Sequence, residues 1–284
     1  MQPISSYFRL KTLPFWLIHL GCFSVFFIDF SWWYVAIALG SYYLRMFFVV
    51  SGYHRYFSHR TYSTSRVYQF IMGFMAQTSS QKGILWWAAN HRHHHKYSDM
   101  EEDIHSPKQG FWHSHIGWIL GDQYNETQVQ YIRDLTKFPE LVWLNKYNLL
   151  PVPIYAAAMM LLFGWPGLVW GFFIGTTLLW HGTFTINSLS LVWGKRRYHT
   201  TDTSRNNFIL ALVTLGEGWH NNHHRFQSST RNGFFWWEID IAYYILKILS
   251  WFRIVWDLRP VPKQLLDPSN ESWIKNRKTA ALEA

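Results

Sequence analysis

The sequence predicts an all-α integral membrane protein with four transmembrane helices in two hairpins beneath a cytoplasmic helical cap. Three observations carry this prediction: two long uncharged stretches, a near-complete confinement of Lys and Arg to the segments outside them, and three histidine clusters in those same basic segments. At 284 residues one domain is the natural expectation. Charged residues make up 15% of the chain, against roughly 25% in ordinary soluble proteins. The mean hydropathy of −0.10 hides the apolar character, because that index penalises His, Trp and Tyr, of which there are 15, 18 and 16. Trp and Tyr favour the membrane–water boundary.

Leu13 to Ile28 and Trp32 to Leu44 carry no charge, and Asp29 and Ser31 sit between them, so they read as two helices joined by a tight turn. A second uncharged stretch runs from Tyr147 to Gly194 and is broken near its middle by Gly164-Trp165-Pro166-Gly167. It has the length for two spans of about 20 residues each. The expected spans are therefore about 13–29, 32–52, 149–164 and 167–190, with a cap formed by 53–148 and 195–262 and a short flexible tail over 263–284. Arg9 and Lys11 precede the first span, neither interhelical turn holds a Lys or Arg, and all the rest except Arg45 lie in 55–146 or from Lys195 onward. By the positive-inside rule both termini and the middle segment face the cytoplasm. A signal peptide is not expected, because no small-x-small cleavage site follows the first apolar run.

The formal charge of +9 thus belongs to one membrane face. No Lys/Arg run with interleaved aromatics tracks a phosphate backbone, which argues against nucleic acid. The single cysteine, Cys22, excludes an internal disulfide and a thiolate metal cluster.

The clusters are His54-x₄-His59, His91-Arg92-His93-His94-His95 and His220-Asn221-Asn222-His223-His224. All three fall on the side assigned from Lys and Arg alone. Residues at i, i+3 and i+4 share a helix face, so His91, His94 and His95 are expected to point at one place, as are His220, His223 and His224. The five-residue step from His54 to His59 does not align on a regular helix and suggests a helix end. Imidazole suits Zn, Cu, Fe and Ni, and eight are too many for one ion, so the cap is expected to carry a di-metal site. His93 lies off the pattern, and the isolated His19, His113 and His199 read as ordinary surface or satisfied residues. A membrane zinc hydrolase would need a His-Glu-x-x-His motif, which is missing from the sequence. A metal transporter would need ligands within the bilayer. A hydroxylase or carotenoid-modifying oxygenase could use similar boxes.

At these boxes the chain resembles the membrane fatty acyl desaturases, specifically the delta-9 branch that includes stearoyl-CoA desaturase. The likeness extends from about Trp32 to Pro262 and includes Gly52-Tyr53-His54-Arg55, Phe111-Trp112-His113-Ser114-His115-Ile116-Gly117-Trp118 and Gly216-Glu217-Gly218-Trp219. Lys195-Arg196-Arg197-Tyr198 and Asp202-Thr203-Ser204-Arg205-Asn206-Asn207 look like the bacterial members, which implies a bacterial inner membrane. The resemblance implies two iron ions (Fe2+/Fe3+) held by His54, His59, His91, His94, His95, His220, His223 and His224, with Asn187 contributing through water. It implies dioxygen as co-substrate, and a tunnel that holds the ninth and tenth carbons of a fatty acyl-CoA or acyl-lipid beside the metals. It also implies a ferredoxin-like or b-type cytochrome electron donor, since the sequence has no nucleotide-binding glycine motif. Arg92 and Asn90 are the expected substrate-binding positions. Asn90 stands where animal members have Asp, and Ile119-Leu120-Gly121-Asp122 stands where they place a basic pair near CoA; the CoA thioester is the first expectation and a lipid-bound chain the alternative. One ligand departs: the histidine expected four residues after the Asn of Asn187-Ser188 is Leu191, which predicts weakened occupancy of one metal unless His181 or His199 substitutes. Asp99, Glu101, Glu102, Asp103 and Glu217 are candidates to orient the histidines, with Glu101 and Glu102 expected to be merely solvated.

Overall fold

The computed structural model describes residues 7–274. It is mostly helical, with a single two-residue antiparallel pair, Ser63–Thr64 against Val255–Trp256, among the described residues. Three helical stretches are long and apolar enough to cross a membrane: α1 (Leu10–Phe27, 18 residues), α2 (Trp32–Ser58, 27 residues) and α6 (Pro151–Val192, 42 residues). Only 11% of the α1 window is buried, and Leu17, Leu20, Phe23 and Phe26 stand exposed along it. An apolar helix exposed over most of its surface suits lipid and not water.

Ser31 starts α2: its backbone is extended and its hydroxyl accepts from the Trp33 amide at 3.2 Å. Gly164 breaks α6. Its φ of 64° and ψ of −157° lie in a region that side chains exclude, and beyond it the chain doubles back so that Gly171 packs against Met159. The returning arm lies between the first two helices. Phe15 of α1 stacks on Trp180 at 4.8 Å. From α2, Ser41 donates to the Gly171 carbonyl at 2.5 Å and Arg45 to the Thr176 hydroxyl at 2.6 Å. Arg45, fully buried, also donates to Ser41 and Gly171, and its guanidinium lies over the Tyr155 ring. Arg45 is thus a cross-link among helices.

The cap is built from α3 (Arg66–Gln77), α4 (Ile84–Tyr97), α5 (Pro139–Lys146), α7 (Phe208–Val213), α8 (His220–Arg225) and α9 (Ile241–Trp251). Side chains from elsewhere satisfy the first amides of α4, which carries the second box. Gln77 accepts from Ile84 N, and Asn145 Oδ1 accepts from Leu85 N and Trp86 N, both at 3.0 Å. Gly83 is required there, because a Cβ would strike Asn145. The segment expected to be a loose tail is packed as far as it is described: Trp273 meets Tyr198 at 5.5 Å, and Ile274 N donates to Arg197 O. Residues 275–284 lie outside the described residues.

Candidate metal centre

Five imidazoles converge. His54 and His59 come from the end of α2, His91 and His95 from α4, and His223 from α8, and one nitrogen from each lies within 4.8 Å of all the others. Neighbouring Nε2 atoms are 2.9 Å apart for His59–His91, 3.0 Å for His91–His95 and His95–His223, and 3.1 Å for His54–His223. A metal–imidazole bond of about 2.0–2.1 Å puts ligands at right angles about 3.0 Å apart, whereas tetrahedral ligands stand about 3.4 Å apart. The four spacings are close enough for neighbouring imidazoles to share one metal ion.

The His54–His59 step resolves differently from the sequence expectation. α2 does stop at Ser58, but residues 49–58 are wound with i→i+5 hydrogen bonds, which brings residues five apart onto one face. His59 N donates to His54 O at 3.2 Å, and the two rings are 4.8 Å apart. Such π-helical turns gather at functional sites. Nothing in the residue order announces one except the five-residue histidine step itself.

The other boxes also divide instead of converging as units. His94 stays out of the five-histidine group and sits between His95 and α8, with its ring 5.3 Å from His95 and 5.4 Å from His224, and His220 is 4.3 Å from His224. Asp103 takes the His94 Nδ1 proton at 2.8 Å, and Asp202 takes that of His224 at 2.8 Å. This leaves Nε2 of both rings buried and without a partner. A buried nitrogen with a fixed lone pair and no donor facing it is costly unless a cation takes it. His220 and His224 lie beside the first group, with His95 and His224 rings 4.5 Å apart, while the second set of ligand atoms that gathers is His94 with Asp103 and His105. Both groups fit metal ions.

Electrostatics agree. Burial, reinforced by neighbouring imidazoles, pushes His59, His91, His95, His220 and His223 well below the usual imidazole range, so all offer neutral lone pairs at neutral pH. Burial opposes a charge on His94 too, but Asp103 outweighs it and holds His94 up. Asp103 and Asp202 stay ionised despite burial because of His94 and His224 respectively. Glu217 lies 2.6 Å from His54 Nδ1 and also accepts from Arg55 at 3.0 and 2.8 Å. Arg55 in turn reaches Asp240 at 2.9 Å and Thr230 O. This buried network ties α2 to the segment before α8. Asp202, Arg55 and Asp240 escaped sequence reasoning because each acts across more than twenty residues of intervening chain, and only the fold supplies the distance.

The remaining candidates fall as follows. Glu101 and Glu102 are exposed, and Asp99 accepts from Thr203 N without reaching a histidine. His93 packs on Tyr97 and Tyr131, outside both groups. His181 cannot stand in for Leu191, since its nitrogens face His19 at 3.2 Å and His115 at 3.0 Å, and His115 continues to Ser188. His199 is exposed. His105 lies beside His94, with ring centroids 4.1 Å apart. Leu191 is buried at 2% exposure. Arg92 spends its guanidinium on Phe57 O, Ser58 O, Tyr131 O and Asp134.

A mainly apolar cavity borders the histidines. Met46, Val49, Val50, Trp86, Trp118 and Phe184 line it together with His54, His91, His94, His220, Asn90 and Asn187. Asn90 Nδ2 is held by Trp86 O, while its Oδ1 is buried without a partner. The fatty acid desaturase family model matches residues 30–249.

The chain belongs to the fatty acid desaturase family. It is similar to an acyl-CoA C20 Δ5-desaturase of Anemone leveillei, 36% identical over 217 residues that cover 75% of this chain and 69% of that protein. It is also similar to an sn-2 palmitoyl-lipid 9-desaturase of a Nostoc strain, 36% identical over 204 residues covering 70% and 72%. An sn-1 stearoyl-lipid 9-desaturase of Anabaena variabilis matches at 33% identity over 243 residues, covering 84% and 89%. As a desaturase the protein is an oxidoreductase of lipid metabolism, and its apolar helices fit a membrane enzyme.

Proposed function

We propose that this desaturase introduces a Δ9 double bond into a saturated fatty acyl chain at a di-iron centre. The observation that carries the proposal is the convergence of His54, His59, His91, His95 and His223, with His94, His220 and His224 close by, beside a mainly apolar cavity that Asn187 also lines. Five clustered imidazoles exceed the four ligands that zinc ordinarily takes and suit iron. Iron bound there supplies the oxidising power, drawn from dioxygen, that unreactive C–H bonds require.

The chain's own residues do the rest. Asp103 and Asp202 fix the tautomers of His94 and His224 so that each Nε2 lone pair faces inward. Trp86, Trp118 and Phe184 hold the methylenes and exclude water. Double-bond position follows from which methylenes the cavity wall holds beside His91 and His94. Overall, one CH₂–CH₂ loses two hydrogens, O₂ takes two electrons and two protons from outside, and two waters leave. On this reading α6 crosses twice around Gly164, giving four spans, and the confinement of most Lys and Arg to the segments outside them supports a cytoplasmic position of the histidines in a bacterial inner membrane.

For the acyl carrier, a second polar opening beside the cavity favours a glycerolipid over CoA. It shares Trp86 and Phe184 with the cavity, and its charged lining is Lys11 and Lys82 against Asp122, which already pairs with Arg9. That is little positive charge for the phosphates of CoA. Expression in a host lacking unsaturated fatty acids, followed by gas chromatography, tests the function: a Δ9 alkene supports it, and an alcohol or unchanged lipids sink it. Pulse-labelling with stearate separates the carriers by showing whether the alkene appears first in acyl-CoA or in lipid.

A further inference from the structure

The end of α6 and the start of α7 border a basic groove with a cavity of about 1430 Å³. It shares no lining residue with the cavity beside the histidines. Lys195, Arg196, Arg197 and Arg205 enter it from the loop that follows α6, and Lys108 from the segment after α4. That loop is zipped to itself and to the helix end. Lys195 and Asn206 exchange backbone hydrogen bonds at 2.9 and 2.8 Å, and Arg205 N donates to Ser190 O at 2.8 Å. The cations are therefore held at the last turn of the span.

Charge in the groove is left unbalanced. Arg197 pairs with Glu238. Among the described residues, Lys108 donates to Asp99 O, Arg196 to Thr200 and Arg205 to Leu191 O, all neutral oxygens, and none of these three nor Lys195 meets a carboxylate. Of the two acids on the wall, Asp202 is taken by His224 and Asp99 by the Thr203 amide. Arg196 Nε is also buried without an acceptor. A guanidinium short of acceptors suits an anion with several oxygens.

The rim of the groove is apolar. Val192 and Trp193, where the last span ends, and Phe208 and Ile209, which open α7, all stand exposed. α7 lies against the spans, because Tyr42 near the middle of α2 donates to Val213 O at 2.8 Å. An exposed Trp at the end of a span marks the headgroup layer. Cations above an apolar lip match one molecule that is polar at one end and apolar at the other.

We propose that this groove binds one anionic glycerophospholipid of the cytoplasmic leaflet, an inference that rests on the membrane placement proposed above. Arg196 and Arg205 take the phosphate, Lys108 and Lys195 complete the positive ring, and the tails lie along Val192, Phe208 and Ile209. A lone phosphate fills little of the space and leaves the lip bare. A zwitterionic headgroup brings a cation of its own toward a basic wall. Because the groove is separate from the acyl cavity, the lipid is a resident partner and not the substrate. The loop it braces carries Asp202, the partner of His224.

Native mass spectrometry of the full-length protein, released from detergent with phosphatidylglycerol or phosphatidylcholine of the same acyl chains, tests this. One phosphatidylglycerol is expected to bind about tenfold more tightly than phosphatidylcholine, with the preference shrinking as salt rises. Lys195→Gln/Arg196→Gln is expected to weaken phosphatidylglycerol binding by about tenfold. Arg133→Gln/Lys137→Gln, which removes two exposed cations elsewhere in the cap, leaves it unchanged. Equal binding of the two lipids, or equal weakening by the two double variants, overturns the proposal. So does displacement of the lipid by inorganic phosphate, which makes the groove a free-anion site. Lys195→Gln alone, at an exposed position, is the arm to use should the double variant fail to fold. Binding weakened by about threefold then supports the proposal, and unchanged binding overturns it. Alkaline carbonate extraction of the host membranes runs alongside. Protein released without detergent overturns the membrane placement itself, whereas retained protein with no preference for phosphatidylglycerol overturns only this site.

Discussion

Replacing Asp103 by Asn is the sharpest probe of how the second ligand group is held. Asp103 is fully buried and every group it meets is a donor: His94 Nδ1 at 2.8 Å, the Asp99 amide at 2.8 Å and the His105 amide at 3.3 Å. An Asn keeps the shape but must turn its NH₂ toward one of these donors, leaving at least one buried N–H without an acceptor, at about 1–3 kcal/mol. If the NH₂ faces His94, the ring gains a donor partner, its proton moves to Nε2, and the inward lone pair is lost. Loss of such a supporting carboxylate typically costs about 10- to 100-fold in metal affinity, or about 1.4–2.7 kcal/mol. The effect is confined to the ligand set around His94, because the five-histidine group does not use Asp103. Elemental analysis of purified Asp103→Asn after mild chelator challenge is expected to show iron falling toward half the wild-type content, with desaturase turnover lost. Glu102→Gln, at the exposed position directly before Asp103, serves as the control and retains full iron. Full wild-type iron retention by Asp103→Asn under the same challenge would refute the assignment of Asp103 as the group that orients His94.

Further outcomes follow from the same geometry. Leu191→His restores the imidazole expected after Asn187 and should raise iron retention and turnover under chelator challenge; unchanged iron would show that His94, His220 and His224 suffice. Gly164→Ala forces a side chain into the strained turn of α6 and should destabilise the protein by about 1–3 kcal/mol, read as a lowered Tm in detergent, with iron per folded chain unchanged. Burial, followed by repulsion from Lys11, brings Lys82 down to about 8. Between that value and about 10.4 the unfolded chain holds a proton that the folded chain has lost, so stability rises with pH across this window. Lys82→Met removes the burden and should be more stable than wild type by about 1–2 kcal/mol at pH 7, with the difference fading by about pH 10; a constant difference across the titration would show that the lysine charge is not its source.

Much of this protein was legible in the residue order because the constraints are local. A run without charge must meet lipid or core whatever its neighbours, a glycine–proline break must reverse or bend, and His-x-x-His-His puts three imidazoles near one helix surface. Those features located the apolar stretches, the turn at Gly164 and all eight box histidines. What they could not show is how imidazoles on three separated segments share out between two ligand groups, because that depends on the crossing of α2, α4 and α8. The i→i+5 winding of residues 49–58 belongs to the same class. It trades regular hydrogen bonding for a histidine alignment that only the packed site makes worthwhile. The placement of the returning arm of α6 between α1 and α2, the spending of Arg92 on backbone carbonyls, and the reach of Asp202 and Asp103 to their histidines were likewise decided in three dimensions. Side-chain identity fixes what a group can do, but whether a carboxylate meets an imidazole or water is a matter of distance, and distance across the chain is set by the fold.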